Sequence, residues 1–237
     1  MSMIHLTDKN SPLHEKLEIG LLLAVVGGFL DAYSFLCYGG VFANAQTGNM
    51  VLLGVSLINA DYINFFHYLI PIIAFSFGIL MTEYLLKYLS GSFYIWVLIT
   101  EIIILFIIAF LPDNTPQVVV TAAISFMCSI QIGSFRKICG APYTSTMCTG
   151  NLRSAMGSLF LAISNKDSHS LIQGLRYLSI ILFFCIGAAI GAICVNWWGK
   201  ISVLLCCLLF SILLLLIIRD LIYIKRKQQQ LSDAINK

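Results

Sequence analysis

Residues 47–58 read TGNMVLLGVSLI and residues 149–163 read TGNLRSAMGSLFLAI, and these two stretches decide how the chain is built. Each opens with Thr-Gly-Asn and continues as a short apolar segment. At about 1.5 Å per residue, a helix of about 12–14 residues reaches only about 20 Å, whereas the hydrocarbon core of a bilayer is about 30 Å thick. Both pieces are too short for an ordinary span. They are flanked by six apolar segments that are long enough, at 17–38, 64–88, 92–111, 116–137, 173–198 and 201–222. Ser90-Gly91-Ser92, the run from Pro112 to Pro116, and Trp197-Trp198-Gly199-Lys200 break these segments apart. The paired tryptophans read as an interfacial anchor.

Composition agrees with a bilayer setting. Of 237 residues, 59% are hydrophobic and 11% charged, with a mean hydropathy of +0.92. Soluble domains carry about 25% charged residues, so this chain could not cover a water-exposed surface. A β-barrel would alternate polar and apolar residues over segments of about 10; residues 201–218, ISVLLCCLLFSILLLLII, do not. The net charge of +3 gathers near the C-terminus at Arg219, Lys225, Arg226 and Lys227. That cluster reads as a cytoplasmic membrane anchor rather than a nucleic-acid site. The first apolar segment is longer than a signal-peptide core, and no cleavable signal is expected.

The two tripeptides begin an internal duplication. In each half a long span leads to glycine, a polar stretch, TGN, a short helix and two more spans. The span after each short helix carries an FxxG, Phe75 to Gly78 in one half and Phe184 to Gly187 in the other. Three full spans per half force the second half upside down, which is the architecture of many transporters and channels. Charge placement agrees with this path. With each TGN segment dipping into the membrane and returning, Lys16, Lys87, Arg136, Lys137, Arg176 and the C-terminal cluster fall on the cytoplasmic side. Lys200, Asp61 and Asp113 fall outside. If the TGN helices spanned, Lys87, Arg136 and Lys137 would move outside, against the positive-inside rule. The near absence of a polar face over 50–58 favours re-entry over a surface helix.

The fold expected is therefore an all-α polytopic membrane protein, with six spanning helices and two short re-entrant TGN helices forming two inverted three-span repeats. Its parts are a cytoplasmic N-terminal segment at 1–16, a first repeat at 17–111, a second at 116–222 and a polar cytoplasmic tail at 223–237. Both termini face the cytoplasm.

Thr and Asn are good helix N-caps, so TGN reads as a helix start. Glycine there lets a backbone or a solute approach closely. The first N–H groups of a helix lack internal partners and carry partial positive charge. Two such ends meeting at mid-membrane would bind an anion or a hydrogen-bond acceptor. The alternative is that TGN only caps and packs two short helices. Candidate solute-binding residues are Thr47, Gly48, Asn49, Thr149, Gly150 and Asn151, joined by Asp31, Gln131 and Arg136. Asp31 lies inside the first span, where a carboxylate is costly and a functional candidate. It serves either proton coupling or a structural pair with Arg136, Arg153 or a tyrosine hydroxyl. Glu101, near the middle of the third span, reads as a structural pair, and Glu83 as a surface pair with Lys87. Arg136 either draws an anion inward or enforces topology.

Gly187 to Gly191 is a GxxxG, read as close packing within the fold rather than a dimer contact. The eight cysteines include no CxxC pair and read as small buried residues. The four histidines sit near span ends or in loops. No motif for catalysis, metal or cofactor binding appears, and neither an enzyme nor a cofactor is expected.

Residues 28–42, GFLDAYSFLCYGGVF, followed by Thr47-Gly48-Asn49, resemble the signature of the YoaK family of bacterial membrane proteins. A second family signature runs Gln-Asn-Ala, basic residues, then Thr-Gly-Asn-Leu. Gln131, Arg136, Lys137 and Thr149-Gly150-Asn151-Leu152 match it, with Ile132 and Gly133 where Asn-Ala is usual. The resemblance covers nearly the whole chain. It implies an inner-membrane location and no established substrate. The function expected is a transporter or channel for a small anionic or polar solute, with the bilayer as the other partner. A non-transporting sensor or scaffold is the alternative, and homo-oligomerisation stays open.

Overall fold

The computed structural model describes residues 15–88, 93–143, 146 and 148–235. Within them the chain forms α1 (Leu17–Cys37), α2 (Gln46–Ile58), α3 (Tyr62–Tyr88), α4 (Phe93–Ala109) and α5 (Gln117–Ser134). A two-residue antiparallel ladder follows, β1 (Lys137–Ile138) with β2 (Ala141–Pro142). Then come α6 (Cys148–Asn165), α7 (Ser168–Trp198) and α8 (Leu204–Ile235), the last two joined by a 3-10 turn at Gly199–Val203. The end of α1 is set by Gly39 and Gly40, whose φ angles of +73° and +77° suit glycine. The Gly40 N–H closes back on Phe35 O at 3.0 Å.

Four helical stretches are long and apolar enough to cross a membrane: Leu17–Cys37, Tyr62–Tyr88, Gln117–Ser134 and Ser168–Tyr223. The last is 56 residues long and takes in two of the six segments expected, because the 3-10 turn keeps α7 and α8 nearly continuous. The expected segment 92–111 is a helix of only 17 residues. Helix α6 has 18 residues and is longer than its apolar run indicates, about 27 Å at 1.5 Å per residue. The tail expected to be polar continues α8 as helix to Ile235. Most of the expected segment 1–16 lies outside the described residues.

The helix pairings follow a regular pattern. Helix α1 lies along α7 and α3 along α5; α2 packs on α3 and α6 on α7; α4 touches α8 and α5, and α1 touches α8 and α5. Exchanging α1–α4 with α5–α8 in order leaves this set of pairings unchanged. Two pairs of close contacts at glycines correspond in position as well. A side chain at Gly187 would strike the Val25 backbone, and one at Gly78 would meet Phe126 O at 2.7 Å. A side chain at Gly191 would meet Ala32 Cβ at 3.3 Å, while Gly133 lies under Thr82, whose Cγ2 a side chain would meet at 2.8 Å. Small residues let the backbones close up, as helices in lipid require.

Polar contacts tie the helix ends into two groups. At one end Lys200 Nζ donates to Leu111 O at 2.7 Å and pairs with Asp113, and Tyr33 O–H donates to Lys200 O at 2.9 Å. At the other, Cys139 N donates to Glu15 O at 2.6 Å and Arg136 pairs with Glu83 at 2.6 Å. Between these ends α3, α7 and α8 expose large apolar side chains, among them Phe77, Leu80, Leu182 and Leu215. Such a surface is stable against lipid and not against water.

Candidate functional site

The loop between α1 and α2 is built on two buried side chains. Asn49 is fully buried: its Nδ2 donates to Phe42 O at 2.7 Å and to Gln46 Oε1 at 2.9 Å, and its Oδ1 accepts from Phe42 N at 2.9 Å. It clamps the incoming chain to the first turn of α2. Asp31, nearly two turns before the end of α1, accepts the Asn44 N–H on Oδ1 at 2.6 Å. Asn44 in turn donates from Nδ2 to Gly27 O at 3.2 Å. The loop thus folds back across the Gly27–Asp31 turn of α1.

These contacts correct the capping expectation. Helix α2 starts at Gln46 with Ala45 at the N-cap and no side-chain cap, so Thr47, Gly48 and Asn49 lie inside its first turn. Helix α6 starts at Cys148, which places Thr149, Gly150 and Asn151 the same way. A side chain at Gly48 would meet the Phe42 ring at 2.9 Å, whereas one at Gly150 would meet nothing within 4 Å.

Both TGN segments nonetheless reach one cavity. It holds about 590 Å³ and is lined by Asp31, Asn44, Gln46, Thr47, Thr146, Cys148 and Thr149, with Phe35, Phe42, Phe75, Phe184, Ala188 and others as its apolar wall. Gln46 and Cys148 stand at matching places before the two tripeptides, Thr47 and Thr149 open them, and Phe75 and Phe184 open the two FxxG motifs. The repeated positions are the ones that meet. Of the lining side chains, Asp31, Asn44 and Thr146 are at most 5% exposed. Each carries a buried atom without a hydrogen-bond partner among the described residues: Asp31 Oδ2, Asn44 Oδ1 and Thr146 Oγ1. A buried polar atom left unpaired costs about 1–3 kcal/mol.

Other expected site residues lie elsewhere. Gln131 is fully buried in α5 and neither of its amide atoms has a partner, but it does not line the cavity. Arg136 is also away from it, bonded to Gly133 O and paired with Glu83. Glu83 therefore meets Arg136 across two helices rather than Lys87 along its own. Asn151 is buried in the first turn of α6 without lining the cavity. The structural partner of Asp31 is the Asn44 amide, not an arginine or a tyrosine. Glu101 is buried in α4 with neither oxygen bonded, so the structural pair expected for it does not form. Cys185 is exposed and Cys148 is half-buried at the cavity, against the expectation of uniformly buried cysteines. The GxxxG glycines pack on α1, within the fold.

Sequence reasoning passed over Asn44, Gln46 and Thr146. Asn44 stands three residues before the first TGN and Thr146 three before the second, a spacing that carries the signal.

Comparison with known proteins places these features in a family. The profile described as "Protein of unknown function (DUF1275)" matches residues 19–217, from the start of α1 into α8. The UPF0700 transmembrane protein YoaK of Bacillus subtilis (strain 168) is 29% identical over 187 residues, 73% of this chain and 80% of that protein. No solved structure matches significantly.

Proposed function

The chain belongs to the DUF1275 family, and from that premise we propose that this integral membrane protein is a transporter or channel for a small polar solute held between the first turns of α2 and α6. The single observation that carries the reading is the shared cavity, reached by both TGN segments and walled by Asp31 from within the apolar helix α1. Intramembrane carboxylates mark substrate or ion pathways by default, and solute sites in transporters lie where broken helices of two repeats meet.

The accompanying architecture is two inverted three-span halves, with α2 and α6 re-entrant and both termini in the cytoplasm of a bacterial inner membrane. The pairing pattern, unchanged when the halves are exchanged, supports it. So does the sorting of helix ends into two groups, because the start of α1 and the end of α5 share one of them. Irregular backbone before α2 is tolerable at depth when it lines a cavity. The reading assigns no catalytic step and no cofactor.

Purified protein in proteoliposomes tests the proposal through uptake of a panel of amines, neutral metabolites and anions. Protein-dependent flux of at least one class is expected, lost in Thr47→Leu/Thr149→Leu. Cavity occupancy without flux of any panel member would overturn transport in favour of a sensor or scaffold.

A further inference from the structure

Resting on the reading that a solute occupies this cavity, we infer that the solute is a primary ammonium ion carrying an apolar group, and not an anion. The unpaired atoms Asp31 Oδ2, Asn44 Oδ1 and Thr146 Oγ1 are all oxygens able to accept hydrogen bonds. The Asn44 assignment follows from its neighbour, because Gly27 O can only accept and so faces the amide nitrogen. The three side chains gather on one turn of α1. Asn44 bonds Asp31 and Gly27, and the methyl of Thr146 fills the space a side chain at Gly27 would occupy. A primary ammonium has three N–H donors, matching three acceptors on one turn.

Charge points the same way. Among the described residues lining the cavity Asp31 is the charged one, and no Lys or Arg is among them. The slot for an anion ahead of α2 is already filled by the chain's own carboxylate, which takes the Asn44 N–H. Arg136, the cation that would have drawn an anion inward, is paired with Glu83 away from the cavity. An inorganic cation fits poorly, since a hard metal ion takes about 6–8 oxygen ligands and most of this wall is hydrocarbon. Four phenylalanines, Phe35, Phe42, Phe75 and Phe184, supply a surface for an apolar body and for cation–π contact. The volume of about 590 Å³ lies in the usual range for a small-molecule site.

Cys148 reports on occupancy because it lines the cavity and is half-buried. In full-length protein whose other seven cysteines are replaced by serine or alanine, its modification by methyl methanethiosulfonate is timed with benzylamine, benzyl alcohol or benzoate present. Benzylamine is expected to slow the reaction at least about tenfold at saturation, with benzyl alcohol and benzoate inert. Asp31→Asn, which keeps the acceptor for Asn44, should abolish protection. Thr146→Val should weaken benzylamine by about tenfold, a loss of about 1.4 kcal/mol. Protection by benzoate alone, or by benzyl alcohol as well as by benzylamine, would overturn the ammonium assignment while leaving a solute site in place. Protection by none of the three, with Cys148 reactive throughout, would overturn both the assignment and the site beneath it.

Discussion

Replacing Gly187 by alanine strikes the interface that holds the cavity together. The added Cβ would stand 2.7 Å from both Cα and the carbonyl carbon of Val25, and closer still to Val25 O. Carbon–carbon contacts settle near 3.5–4.0 Å, so α1 and α7 must part by about 1 Å. The obstacle is backbone, which has no rotamer to move into. Overpacking of this kind costs about 1–3 kcal/mol, a factor of about 5 to 150 in the folding equilibrium. The cavity is affected too, because Phe184 and Ala188, on either side of Gly187, line it. The assay is unfolding in mixed micelles, with Gly150→Ala as control. Gly150 has no neighbour within 4 Å of a built Cβ, and alanine is the better helix former by about 1 kcal/mol. Gly187→Ala is expected to lower the unfolding midpoint and Gly150→Ala to hold or raise it. Equal midpoints for the two variants would refute the close α1–α7 approach and the cavity geometry built on it.

Asn49→Ala removes three hydrogen bonds and strands the part-buried N–H and C=O of Phe42, at up to about 1–3 kcal/mol for each group; the thermal midpoint should fall although the protein still inserts. Asp167 caps α7, and the Ser170 hydroxyl first, then the His169 and Ser170 amides, hold its carboxyl below the usual carboxylate range. Its support for the first turn of α7 is therefore complete above the unfolded value of about 3.9 and fades as pH falls through the lower folded value. Protection of the His169 and Ser170 amides from hydrogen exchange, relative to the unfolded rate at the same pH, should fall across that acid window, and in Asp167→Ala it should be low at every pH. Single cysteines placed by Asp61→Cys and Asp113→Cys should be labelled by an impermeant maleimide from the periplasmic side of whole cells; labelling from the cytoplasmic side alone would reverse the proposed topology.

The membrane character and the course of the long helices were legible because lipid imposes a length and a composition that soluble folding does not. Apolar runs and their Gly, Pro and Trp punctuation carried that information directly. Positions that match in the sequence were informative as well: Thr47 and Thr149 reach the same cavity, and Phe75 and Phe184 form part of its wall. What the tripeptide does was less legible. Asn49 looks like a solute ligand by residue type, but its three bonds go to Phe42 and Gln46, and only coordinates reveal a loop returning seven residues later. Glu83 was misread for a related reason: its partner Arg136 lies past the end of another helix, beyond any i,i+4 rule. Gln131 sits beside the repeat position of Asp31, but its amide is buried away from the cavity, and no sequence signal sets those two faces of a helix apart. The length of α6 escaped because Arg153, Ser154 and Ser158 interrupt its apolar pattern without breaking the helix.

The claim on which the rest depends is that the first turns of α2 and α6 face one another across a single space. Cross-linking tests it in a cysteine-free background carrying Thr47→Cys and Thr149→Cys, with a short bis-methanethiosulfonate added to membranes and the link detected as intact chain after proteolysis between the two sites. Formation of the link, slowed when benzylamine is present, is the expected result. Two thiols that each react singly and never link would contradict it.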